Sequence, residues 1–313
     1  MSSSKSPLHS GYATIVGRPN VGKSTLMNQI IGMKLAIATA KPQTTRNRIL
    51  GVHTVEDRGQ IVFVDTPGIH ESSRRLNRRM VAAAWDALDN TNVAVLVVES
   101  GSIGDGKRPP IWGEDLRILE KLREANVPIV LVVNKVDQAK RRMDLVPALA
   151  RLEEFGPFAS IVPLSASTGW NVEALVNELF VHLPEAEPPF PPDMVTDRAE
   201  RFLAAELIRE QVLKQTHEEI PYSVAVTIEE FVDSAHENLL VISAVIHVER
   251  SSQKAIVIGR GGSRLKEVGT AARAELQKFF GKPVRLDTLI RVEEEWTERD
   301  RTLNEFGYDE DKI

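Results

Sequence analysis

Five nearly continuous apolar runs punctuate the first half of the chain: ATIVG, IVFVD, VAVLVVE, PIVLVVNK and SIVPLSA. Val, Ile and Leu in unbroken succession predict strands buried on both faces, because a half-exposed strand alternates apolar with polar residues. Between these runs lie stretches of helical spacing, such as KSTLMNQIIG and LRILEKLREA. Strand and helix in alternation predict an α/β domain, a mostly parallel, doubly wound sheet with helices on both faces. In such a sheet ligands bind beyond the carboxyl ends of the strands.

The pattern breaks at 184–197, PEAEPPFPPDMVTD, where five prolines can neither continue a helix nor supply ladder donors. This predicts a proline-rich linker; the alternative is a rigid loop inside one domain. Beyond it, RAERFLAAELIREQVLKQT has the spacing of an amphipathic helix, and SVAVTIEEFV and LLVISAVIHVE have strand composition. IVIGRGGSRLKEVGTAARAELQKFF reads as strand end, glycine turn and helix, and VRLDTLIRVEE as a last strand. The expected division is therefore a polar, disordered lead-in at 1–10, an α/β domain at 11–183, the linker at 184–197, and an α+β domain with a tail at 198–313.

Composition narrows the classes. The chain of 313 residues has no cysteine, which excludes disulfides, thiolate metal sites and cysteine nucleophiles and agrees with a cytoplasmic location. No apolar run approaches the roughly 20 residues that span a bilayer, and the N-terminus lacks the apolar core of a secretory signal. The net charge of -5 means that any nucleic-acid binding must come from a local basic surface.

The chemistry concentrates at the predicted strand ends. Gly17, Arg18, Pro19, Asn20, Val21, Gly22, Lys23, Ser24 and Thr25 fit G-x-x-x-x-G-K-[ST] after the strand ATIV. The glycines let backbone N–H groups turn towards phosphate, and the following helix presents its positive end to the same anion. Lys23 would neutralise β- and γ-phosphate charge, and the Ser24 hydroxyl would bind Mg²⁺. Asp65, Thr66, Pro67 and Gly68 end the strand IVFV; Asp65 would hold Mg²⁺ and the Gly68 N–H would sense a γ-phosphate. Between these motifs lies KPQTTRNR, where a threonine can close over the metal in a switch loop that hydrolysis releases. Thr45 is the first choice and Thr44 the alternative, since spacing does not separate them.

Base choice comes from Asn134, Lys135, Val136 and Asp137, at the end of PIVLVV. Guanine presents N1–H and a 2-amino group side by side, which one carboxylate, that of Asp137, accepts together. Adenine would leave that carboxylate unpaired. Ser165, Ala166 and Ser167 follow IVPL, and the Ala166 N–H would meet guanine O6. Taken in order, these resemble the G1 to G5 elements of the GTPase superfamily, which implies GTP and GDP as ligands.

One position departs from the familiar arrangement. In Ras-like GTPases a glutamine after the DxxG glycine orients the attacking water. Here Ile69 occupies that place and cannot, so slow intrinsic turnover or water positioning by other groups is expected. His70, next along, reads as a solvated switch-loop histidine rather than a base. Resemblance to potassium-activated GTPases implies that Asn20 helps to hold K⁺; the alternative is a turn asparagine.

In the second domain Gly259, Arg260, Gly261 and Gly262 form a G-x-x-G turn after Ile258. No acidic residue occurs from Ser251 to Lys266, while Lys254, Arg260, Arg264 and Lys266 are basic. Close backbone approach at glycine, with Arg260, Arg264 and Lys266 near phosphates, suits single-stranded RNA. With the order strand, strand, helix, helix, strand, this looks like a type II KH domain.

A GTPase domain followed by a KH domain resembles the Era family of bacterial ribosome-assembly GTPases. The resemblance is carried by GRPNVGKSTLMN, KPQTTRNRI, VDTPGIH, VNKVD, LSASTGWNVEAL, LPEAEPPFP, PYSVAVTIEEF, VERSSQKAIVIGRGG and the terminal LNEFGY. It implies GTP hydrolysis with Mg²⁺, binding near the 3′ end of 16S small-subunit ribosomal RNA, and a role in maturation of the 30S subunit; a monomer is expected, though no residue pattern sets the oligomeric state. It also implies peripheral association with the inner membrane, which no residue pattern independently supports. Rival readings are a signalling GTPase whose second domain grips a protein or membrane, a tRNA-modifying enzyme, which the absence of cysteine disfavours, and an RNA binder with a non-hydrolysing G domain.

Overall fold

The strands form where unbroken aliphatic runs can be buried from both sides. They are β1 (His9–Val16), β2 (Ile49–Val55), β3 (Gly59–Asp65), β4 (Val93–Glu99), β5 (Ile129–Asn134) and β6 (Ser160–Pro163), in the sheet order β2-β3-β1-β4-β5-β6. All neighbours are parallel except β2, which runs antiparallel to β3. Every residue of β3 and β5 is buried. β2 is not among the predicted strands: Gly51 and His53 interrupt its apolar run, and only three of its seven residues are buried. This computed structural model describes residues 7–39, 41, 44–69, 75–103, 111–139, 142–216, 223–234, 236 and 238–308.

The helices of the α/β region are α1 (Lys23–Ile31), α2 (Arg75–Asp86), α3 (Ser100–Ile103), α4 (Glu114–Glu124), α5 (Val146–Leu152) and α6 (Val172–Val181). α1 buries Lys23, Leu26, Met27 and Ile30, one stripe at helical spacing, and stops at Gly32 in the left-handed conformation. The chain passes from β1 to β3 on one side and to β4 on the other, so the end of β1 is the switch point of the sheet. The strand pairing brings Val16, Asp65, Glu99, Asn134 and Pro163 to one edge. Every motif singled out for nucleotide chemistry in this sheet lies at that edge or just past it.

The remaining elements are α7 (Glu200–Gln215), β7 (Ala225–Ser234), β8 (Leu239–Val248), α8 (Ser251–Ile258), α9 (Ser263–Phe280), β9 (Val284–Val292) and α10 (Asp300–Glu305). β8 lies between antiparallel β7 and parallel β9. Its Leu240, Ile242, Ala244, Ile246 and Val248 share one face and pack with Leu207, Ile208 and Val212 of α7 and Val268, Ala272 and Leu276 of α9. The apolar run AIVI, expected as a strand end, is the last turn of α8. Short aliphatic runs are ambiguous by composition, and here Gln253 decides. Its side-chain oxygen accepts from the Glu249 and Arg250 N–H groups, capping a helix start.

The chain divides into two compact units, and the division is not the expected one. The first comprises Met1–Ala36, Asn47–Glu71 and Met80–Asp197; the second comprises Ile37–Arg46, Ser72–Arg79 and Arg198–Ile313. Two short stretches of the expected α/β domain therefore belong to the second unit. The lead-in is also shorter than expected, because β1 begins at His9, paired with Gly59, and the Ser10 hydroxyl accepts from the Gln60 N–H at 3.1 Å.

The proline-rich stretch is fastened to the first unit rather than left as a plain linker. Val195 O accepts from Val52 N at 2.9 Å, and Ser10 N donates to Pro184 O at 3.1 Å. The buried Gln60 amide makes a reciprocal pair with the Phe190 backbone, at 3.0 and 3.1 Å. Proline lacks a donor, but Phe190 supplies one and carbonyls accept. A proline-rich strap can therefore cover the edge strand β2.

Candidate functional site

The phosphate loop runs from the end of β1 to the first turn of α1. Gly22 has φ 101°, and a Cβ there would collide with the Asn134 side-chain amide, so only glycine fits. Asn20 also lies in the left-handed region, φ 66°, which asparagine tolerates better than most residues. That conformation by itself accounts for asparagine at this position. Lys23 is buried, and its ammonium donates to Gly17 O and Arg18 O, both at 3.0 Å. Burial lowers its pKa to about 8, against the opposing pull of Asp65 and Asp115.

The Arg18 guanidinium pairs with Asp115 in the first turn of α4 at 2.8 Å. Burial raises the pKa of that carboxyl, and Arg18 opposes the rise. Asp115 escaped sequence reasoning because an acidic residue at a helix start needs no further explanation. Pro19, Val21 and Thr25 complete the loop and the start of α1, with Val21 buried.

Ser24 Oγ donates to Asp65 Oδ2 at 2.7 Å, so the two expected metal ligands of this unit are adjacent. A hydroxyl and a carboxylate, both hard oxygen donors, fit Mg²⁺. The Thr66 hydroxyl donates to Ile15 O at 2.8 Å, which ties the end of β3 to β1. Past Pro67 and Gly68, the Ile69 N–H reaches Gly17 O at 3.4 Å. Ile69 itself is partly buried and packs against the cluster that includes Val16, Leu96 and Ile118. His70 lies outside the described residues, as do Pro42 and Gln43 of the KPQTT segment.

Asn134 joins two loops: Nδ2 donates to Val21 O at 2.8 Å, and Oδ1 accepts from Ala166 N at 2.9 Å. It thereby sets the position of the Ala166 N–H. Lys135, in the left-handed conformation at φ 64°, donates to Asn20 O at 2.7 Å and pairs with Glu99 at the end of β4. Glu99 was another residue not foreseen; aligning the strand ends would have found it. Asp137 is exposed, with its carboxylate accessible. Ser165 is buried, its hydroxyl 3.1 Å from that of exposed Ser167.

Thr44 and Thr45 belong to the second unit, both buried. The Thr44 hydroxyl donates to Lys41 O at 2.7 Å, and its carbonyl accepts from Arg209. The expected switch set is thus split, with Asp65 to Ile69 in one unit and the threonines in the other. Also in the second unit, Gly259, Gly261 and Gly262 all have positive φ, from 60° to 80°, between α8 and α9. Arg260 and Lys266 are exposed and Ile258 is half-buried against the core. Arg264 donates to Ile256 O at 2.8 Å and closes the turn.

A phosphate-loop motif at a sheet switch point, with Ser24 beside Asp65 and the NKVD motif at the end of β5, fits a P-loop GTPase domain in the first unit. The strand–strand–helix–helix–strand order with a G-x-x-G turn makes the second unit a KH domain. Residues 12–135 match the family described as 50S ribosome-binding GTPase, and residues 219–297 match the KH domain family. GTPase Era of Syntrophus aciditrophicus (strain SB) is 48% identical over 96% of this chain and 95% of its own length. GTPase Era of Xanthomonas oryzae pv. oryzae (strain MAFF 311018) is 48% identical over 99% of this chain and all of its own. The chain belongs to the Era family of GTPases.

Two solved structures agree with it over nearly its whole length. The crystal structure of an Aquifex aeolicus Era variant bound to GDP.AlF4- superposes with TM-score 0.91 at 39% identity, covering 96% of this chain and 100% of that one. An Era in complex with MgGDPNP and nucleotides 1506-1542 of 16S ribosomal RNA superposes with TM-score 0.90, also at 39% identity, over 96% of this chain and 99% of that one.

Proposed function

We propose that this chain is a GTP-hydrolysing switch that binds the 3′ region of 16S ribosomal RNA through its KH domain and assists maturation of the 30S subunit. The observation that carries this is the near-complete agreement with an Era holding both MgGDPNP and that RNA segment. Ser24, Asp65 and, in the GTP state, Thr45 would hold Mg²⁺, with Thr44 the alternative. The metal, when bound, neutralises charge on the β- and γ-phosphates.

This chain's own groups do the rest. The loop from Gly17 to Thr25 cradles phosphate with backbone N–H groups. Lys23 turns from two carbonyls to the anion, and the Gly68 N–H reports the γ-phosphate. Asp137 accepts the paired guanine hydrogens, and the Ala166 N–H, which donates to Asn134 Oδ1 here, turns to O6 when the base is bound. Lys135, Ser165 and Ser167 shape the base pocket. Ile69 offers no hydrogen bond to water, so turnover in the absence of a partner is slow. K⁺ beside Asn20 is the finer part of this proposal, and rates that are equal in sodium and potassium remove it.

Ile258, Gly259, Arg260, Gly261, Gly262, Arg264 and Lys266 form the RNA-binding turn, where backbone contacts dominate. A cytoplasmic location with peripheral contact to the inner membrane is a further part of this proposal; no described helix is long and apolar enough to cross a membrane. The test measures affinity for a 16S 3′-end oligonucleotide with the GTP analogue and with GDP. The expected preference for the GTP form is about 5- to 150-fold. Equal affinities defeat the switch, and retained RNA binding by Gly259→Asp defeats RNA binding through the G-x-x-G turn.

A further inference from the structure

The LNEFGY segment and the aromatic cluster around it lie outside the nucleotide motifs and the G-x-x-G turn. They are built into a joint with the two displaced stretches of chain. Arg46, the residue after the switch threonines, is fully buried within the second unit. Its Nη1 donates to Val224 O at 2.8 Å and to Tyr308 Oη at 3.3 Å, and its guanidinium carbon lies 5.7 Å from the ring centres of both Trp296 and Tyr308. Trp296 and Tyr308 stack at 5.8 Å, and the Trp296 indole N–H is fixed by Ser223 O at 3.0 Å.

Arg79, in α2 and therefore downstream of DTPG, meets the same residue from the other side. Its Nη1 donates to Tyr308 O at 2.9 Å and to Asn304 Oδ1 at 2.8 Å, and its Nη2 pairs with Asp300 at 2.6 Å. One tyrosine thus receives an arginine from the chain after each nucleotide-sensing loop. Other described residues of Ile37–Arg46 are held in the same unit: Ala38 N by Glu210 at 3.3 Å, the Lys41 ammonium on Thr216 O, and Thr44 O by Arg209, which Glu206 anchors at 2.7 Å.

We propose that Tyr308, with Trp296, is a latch that holds Thr44–Arg46 in the second unit and thereby sets the preference between GTP and GDP. The inference rests on the assignment of a switch threonine to Mg²⁺. Thr45 is buried here, and a metal ligand must bring its hydroxyl out to the ion. Binding that needs the segment free is weakened by the fraction of molecules in which it is latched. GDP, which lacks the γ-phosphate that closes this loop, is indifferent to the latch. Tyr308 is a positioning residue that acts through Arg46 and Arg79.

The experiment measures Kd for Mg²⁺ with GDPNP and for GDP on the full chain without RNA, in Tyr308→Phe, Arg46→Met and the double variant. Tyr308→Phe deletes one hydroxyl and keeps the ring stack and the backbone carbonyl to Arg79. GDPNP binding should tighten by about fivefold, the worth of one buried hydrogen bond, with GDP unchanged. The double variant should fall short of the product of the two single effects. Arg301→Ala, on the exposed pair with Glu305 in the same tail, should change neither.

Equal shifts for the two nucleotides, or an unchanged ratio in both single variants, overturn the latch and leave the cluster merely structural. Thr45→Ala and Thr44→Ala separate the two ideas. If neither variant weakens GDPNP relative to GDP, the metal assignment fails. If one does and the latch variants keep the parent ratio, the latch alone fails.

Discussion

Lys23 carries its ammonium where water does not reach, and two backbone carbonyls with distant carboxylates compensate only in part, so its pKa falls to about 8. A bound polyphosphate favours the charged form and lifts that value. Below about pH 8 the lysine is protonated with or without ligand, and affinity is independent of its titration. As pH rises through about 8 the free protein loses the proton, so binding must take one up and affinity falls. Calorimetry of GDP binding in two buffers of different ionisation heat should show most of a proton taken up at pH 8.5, almost none at pH 6.5, and no such uptake in Lys23→Met. Asp137 is the complementary case. It is exposed, so Asp137→Asn should leave the melting temperature intact while weakening GTP by at least roughly 10²-fold, the loss of a charge-assisted hydrogen-bond pair. Xanthosine triphosphate, whose base presents an acceptor where guanine has the 2-amino group, should bind that variant better than GTP does.

At the scale of elements, the fate of 184–197 shows what makes a proline-rich stretch ordered. Gln60 is fully buried in β3 and spends its amide on Thr54 Oγ1 and on both backbone groups of Phe190. Gln60→Ala leaves those groups unpaired, at a cost of about 1–3 kcal/mol. Chemical denaturation should register that loss in the first unit, and limited proteolysis should cut 184–197 sooner than in the parent. None of this was legible from the prolines, whose local chemistry says only that no helix or ladder continues. The partner that fastens them lies 130 residues away in sequence. The same limit hid β2, whose alternation is broken by Gly51 and His53, and turned the end of α8 into an expected strand. By contrast β3, β4 and β5 were legible throughout, because strands buried on both faces leave an unbroken aliphatic record. The phosphate loop was legible as well, since its chemistry is consecutive. Arg18 with Asp115 and Lys135 with Glu99 were not, because each joins the ends of different elements.

Across the whole molecule, charge and RNA binding pull in opposite directions. A chain of net charge -5 repels a polyanion at long range, so attraction must come from the few cations around the G-x-x-G turn. Their environments differ. Arg260 and Lys266 are exposed and Lys254 is half-exposed, whereas Arg264 already donates to Ile256 O inside the turn. Three cations facing a single strand release about two counterions' worth of salt dependence, a slope of log K against log salt near -2. Fluorescence anisotropy with a 16S 3′-end oligonucleotide at several salt concentrations should give that slope. Arg260→Ala should make it shallower by about 0.7 without moving the melting temperature. Arg264→Ala should make the slope shallower as well and, unlike Arg260→Ala, lower the melting temperature of the second unit, because it also loses a cap on α8. A slope near zero in the parent would mean that the turn meets RNA through backbone alone, and the basic run from Lys254 to Lys266 would then be only a solvated helix face.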